Sequence, residues 1–159
     1  MNDPIHQLYE VTRGYWRLNI KRALGALLKI GIIYENGNSD IGIVRDIEKA
    51  IYFYNFSMDQ KSVFAPINLC NILFNDSIYG DKVLARNIVS RYLDVFKKYA
   101  HLSSGIIPYN VATYFLNDHF GIQDRRKNFE QGLEWVELAA RFGNENAIRF
   151  LRDLDNRQI

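Results

Sequence analysis

The chain has 159 residues, 48% of them apolar and 24% charged, with a formal net charge of +2 at pH 7. That length supports one domain with its own core and is short for two. The charge is too small to demand nucleic acid or an anionic membrane as a partner, and a lone cysteine, Cys70, excludes an intrachain disulfide and favours a reducing compartment. Residues 1–6 lack a positive run followed by an apolar core, so no signal peptide is read. The longest aliphatic stretch, residues 26–34, is interrupted by Lys29 and is too short to span a bilayer. A cytoplasmic protein without a membrane partner is expected.

The elements follow in order. Asp3 and Pro4 start a helix, with a cap acceptor and then proline at the first helical position. Ile5, Leu8, Tyr9 and Thr12 share its face, and Gly14 stops it. The spacing of Leu24, Leu27, Leu28, Ile32 and Ile33 predicts a second helix over 16–36, ended by Gly37. A third runs over 46–60 on Ala50, Phe53, Tyr54 and Ser57. Residues 51–56 have β propensity, but they lie inside this helical spacing, and period outranks propensity. Pro66 suits the first turn of a fourth helix over 65–75, and residues 75–80 read as a loop. Asp81 caps a fifth helix over 82–102, and residues 103–108 break the chain. A sixth helix covers 109–119 and a polar turn 121–127. A seventh covers 128–142, ended by Gly143 and Asn144, and a last one starts near Glu145.

Two stretches carry one pattern. Asp46, Ala50, Phe53, Ser57, Ala65 and Leu69 recur 82 residues later as Asn128, Gly132, Trp135, Ala139, Ala147 and Leu151. Small, aromatic and aliphatic positions at a fixed offset mark a helical repeat array. Such arrays mostly hold other molecules rather than do chemistry.

The pattern resembles the Sel1-like repeats, a tetratricopeptide-like family of paired antiparallel helices. The first unit supplies Ala26, Ile30, Gly31, Tyr34 and Gly37, then Asp46, Lys49, Ala50, Tyr54 and Ala65. The last supplies Trp135, Ala139, Ala140, Gly143, Asn144, Ala147 and Leu151. The middle unit keeps Ala65, Leu69 and the stretch from Asp81 to Ala85, but has Cys70 where glycine is usual. The small residues Ala50, Ala85 and Gly132 are spaced by 35 and then 47, so the middle unit carries an excess of 12 that bends regular geometry around 90–108. The resemblance covers residues 23–154. It implies an all-α, right-handed α–α solenoid, a single domain 1–159 with a capping region 1–22 and repeat units 23–62, 63–107 and 108–154.

In such arrays the first helix of each pair lines the concave face. Carrying those facing positions over by register gives Leu28, Ile32 and Glu35, then Ile67, Asn71 and Phe74, then Tyr114 and Asp118. For Leu28, Ile32 and Ile67, burial in the core is an equal alternative. Asn71, Phe74, Tyr114 and Asp118 suit a groove for a peptide or partner loop. His6, His101 and His119 are scattered, so no metal site and no cofactor is expected. Asp118 and His119 could act as acid and base, but a solvated histidine beside the helix dipole is the plainer reading. Cys70 reads as a buried structural thiol. Arg125, Arg126 and Lys127 make a basic turn, diluted by Glu130, Glu134 and Glu137. The resemblance implies a non-enzymatic module that binds another protein. Its narrower form is a bacterial immunity-type protein that neutralises a toxin or effector. An accessory subunit of an enzyme complex and a nucleic-acid-binding helical repeat are the alternatives.

Overall fold

A computed structural model of the chain describes residues 20–156. The calls on Asp3, Pro4, Gly14 and the capping region 1–19 lie outside the described residues. Among those residues the regular structure is helical: α1 (Ile20–Asn36), α2 (Ile47–Asp59), α3 (Ala65–Asn75), α4 (Lys82–Lys98), α5 (Ile106–Leu116), α6 (Arg125–Arg141) and α7 (Glu145–Asp155). There is no strand among them. A single antiparallel bridge joins Asn38 and Ile43. The chain divides into two compact units, the first reaching Gly80 and the second starting at Asp81. The expected middle repeat, 63–107, holds α3 and α4, one on each side of that division.

In the first unit α2 packs against both α1 and α3. Asp46 caps α2, its side chain accepting from the Lys49 N–H. That start signal and the buried stripe of Ala50, Phe53, Tyr54 and Ser57 hold the β-prone residues 51–56 in a helix. Gly31 is where α1 meets α2 most closely. A Cβ there would stand 2.5 Å from Cε1 of Tyr54, so glycine lets the buried phenol ring lie against the α1 backbone. Tyr34 stacks on Phe53 at 5.7 Å, and Lys49 lies over the Tyr34 ring at 5.0 Å. After α3, Asp76 accepts from the N–H groups of Ile78 and Tyr79. Those bonds, more than the nearby Arg45, hold its carboxyl below the usual range.

In the second unit α5 packs against α6, and α6 against α7. Three helix boundaries differ from the sequence expectation. The fifth expected helix ends at Lys98 rather than 102. Ala100 turns into the core, and a 3-10 turn follows over Leu102–Gly105. Ser103 and Ser104 both sit in the left-handed region at φ 52°, which costs about 1–3 kcal/mol each for non-glycine residues. Gly105 continues that conformation at φ 70°, and a Cβ on it would stand 2.6 Å from the carbonyl oxygen of Ala139. This close seat of the turn on α6 is what holds the strained serines. The extra length of the middle repeat is therefore spent on a turn anchored to α6.

The sixth expected helix starts at Ile106, not 109. Pro108 falls in its first turn, where a missing N–H costs nothing. The seventh starts at Arg125, not 128. Asn128, expected as its start, is inside the helix and buried, and its amide donates to the Gly121 carbonyl at 2.9 Å. Asn144 caps α7 by accepting from the Ala147 N–H.

Candidate partner-binding face

The eight residues placed on a concave face by register separate into surface and core. On α1, Ile32 is 39% exposed and Leu28 is half-buried, so this stripe stays on the surface. Glu35 is half-buried and accepts a hydrogen bond from the Tyr54 hydroxyl. Burial, and then the Glu35 carboxylate, push the ionisation of the Tyr54 phenol far up, so it remains a neutral donor. Glu35 thus ties α1 to α2 while part of it faces solvent.

On α3, Asn71 is half-buried, whereas Ile67 and Phe74 are each 4% exposed. On α5, Tyr114 is 2% exposed. These three are core residues, a correction to their expected place on a docking face. The helical period assigned them to a shared face but carried no information about what covers that face. Asp118 follows α5 with φ 56° and pairs with Arg125 at 2.8 Å. The His119 N–H reaches the Tyr114 carbonyl at 3.2 Å, which makes Asp118 the left-handed residue that closes the helix. Its role is therefore helix termination, with its carboxylate already engaged.

The chemically reactive side chains are committed elsewhere. Cys70 is fully buried, and burial pushes its thiol up to about 12, so it carries no thiolate at neutral pH. His119 is half-buried rather than solvated. Its pKa is lowered by burial first and then by Lys82 and Arg86, the opposite of what a helix C-terminal dipole does. In the basic turn, Arg125 engages Asp118 and Arg126 engages Glu130 at 3.0 Å. Among the described residues no group of three His, Cys, Asp or Glu could hold a metal ion, and no helix is long and apolar enough to cross a membrane.

One surface feature lies outside the residues that sequence reasoning selected. The connection between α1 and α2 borders an open depression of about 610 Å³ whose lining includes Asn36, Asn38, Asp40 and Arg45. Asn38 accepts from the Asp40 N–H and bridges to Ile43, and Arg45 donates to the Glu35 carbonyl at 3.0 Å. The loop is thus ordered by its own bonds. The run of Gly37, Asn38 and Ser39 signalled only a helix stop; the bridge depends on Ile43, which no local turn signal marks. Compared with known proteins, the chain matches no family model, no curated protein and no solved structure.

Proposed function

We propose that the chain is a Sel1-like, tetratricopeptide-like helical array, a right-handed solenoid of paired helices, that works without catalysis by binding another protein. The observation that carries this reading is the recurrence of burial at the 82-residue offset. Phe53 and Trp135, Ser57 and Ala139, and Ala65 and Ala147 are buried in matching pairs. A repeated packing unit supports an array, and arrays offer extended surfaces rather than enclosed sites. The narrower proposal is an immunity-type protein of the cytoplasm that sequesters a toxin or effector.

The face proposed for the partner is the surface stripe of α1, Leu28, Ile32 and Glu35, together with Asn71 of α3. Ile32 is its exposed apolar member and the natural anchor. Capture from native lysate, followed by crosslinking of the captured protein, tests the reading. Ile32→Arg is expected to weaken the complex by about 1–3 kcal/mol, tenfold to a hundredfold, with an unchanged urea midpoint. Crosslinks confined to the second unit, with Ile32→Arg binding as the wild type does, would remove the α1 stripe from the proposal. Tight RNA binding at physiological salt would replace the reading altogether.

A further inference from the structure

α4 is held to the end of α5 by a bond that crosses between helices. Arg86 Nε donates to the backbone carbonyl of His119 at 2.5 Å. The His119 imidazole, half-buried, lies in the field of Lys82 and Arg86, both carried by α4. From α5, the Tyr114 ring faces it at 6.4 Å between centroids. The neighbouring acids are occupied: Asp118 by Arg125 of α6, and Asp81 by the Leu84 N–H at the start of α4.

We propose that this seam is an acid-sensitive latch, in which a proton on His119 adds a third positive charge beside Lys82 and Arg86 and loosens the hold of α4 on α5. A cation at a helix end is normally stabilised by the carbonyls there. Here Arg86 already takes that place, so a protonated imidazole would compete with it at close range. The sign follows from linkage. The folded chain binds this proton more weakly than the unfolded chain, whose histidine has the ordinary value of 6.5. The contribution to stability is therefore complete above that value and is lost as the pH falls below it. Loosening α4 would uncover Val89 and Phe96, both fully buried.

The test is urea unfolding at about pH 7.5 and about pH 5, with hydrogen exchange across α4 corrected for its intrinsic pH dependence. The wild-type midpoint is expected to fall by about twice as much as that of His119→Gln, with excess exchange in residues 82–98 in the wild type alone. His101→Gln, at an exposed position, is expected to behave as the wild type does. Lys82→Met, an exposed substitution, keeps the test open if His119→Gln does not fold. In that variant the His119 resonance is expected to titrate at a higher pH than in the wild type. The same pH dependence in the wild type and His119→Gln, or a His119 titration unmoved by Lys82→Met, overturns the latch.

Discussion

α3 and α7 begin on the same alanine of the repeat, Ala65 and Ala147, and then part. Along one stripe they agree: Leu69 and Ile72 of α3 answer to Leu151 and Leu154 of α7. Along the other they do not. Ile67, Cys70 and Leu73 are buried in α3, whereas the equivalent Arg149, Arg152 and Asp155 are exposed in α7. One stripe keeps the contact that each helix makes with the helix before it, α2 or α6. The register of a repeat therefore fixes the inward stripe and leaves the outward one free. Filled with apolar residues, the outward stripe is buried; filled with charge, it makes a face of the kind that closes a stacked core.

The equivalence of the two copies breaks first, if it breaks, at the large aromatics. Phe53→Ala and Trp135→Ala should each cost about 3–5 kcal/mol, since both rings are buried at the same register position. Urea midpoints read this directly, and an unchanged midpoint for either would separate the copies. The divergence of α3 from α7 predicts an asymmetric pair next. Leu73→Ala should cost about 2–5 kcal/mol and Asp155→Ala no more than about 0.5 kcal/mol. Equal costs would show that the outward stripe of α7 is not a free face.

The smallest effect has an unusual sign. Ser57 and Ala139 are equivalent and both fully buried, and the Ser57 hydroxyl has no hydrogen-bond partner. A buried hydroxyl without a partner costs about 1–3 kcal/mol. Ser57→Ala should therefore stabilise the protein by about 1 kcal/mol, and Ala139→Ser should destabilise it by a similar amount. Thermal or urea midpoints that move the other way would mean that the serine has a role the alanine cannot fill.

Much of the fold was legible because helical period survives local noise. The β-prone run 51–56 lies inside α2, as its spacing required. The boundaries failed where one residue type serves two purposes. Pro108 reads as a breaker but occupies a first turn, and Asn128 reads as a cap but holds the Gly121 carbonyl from within a helix. The candidate face was less legible. Ile32 and Phe74 both came from the same register rule, yet one is exposed and the other buried. Period tells which side chains share a face; only tertiary packing decides whether that face is covered. The depression beside residues 36–45 was missed for a related reason, since its shape depends on a bridge and an arginine anchor rather than on a sequence pattern.

The central claim is that one packing unit occurs twice at an offset of 82 residues. An experimental structure, with the backbone of residues 26–69 superposed on that of 108–151, tests it most directly. Ala50, Phe53, Ser57 and Ala65 are expected to fall on Gly132, Trp135, Ala139 and Ala147. A superposition that succeeds only in a shifted register, or that aligns the helices while placing Phe53 and Trp135 on opposite faces, would contradict it.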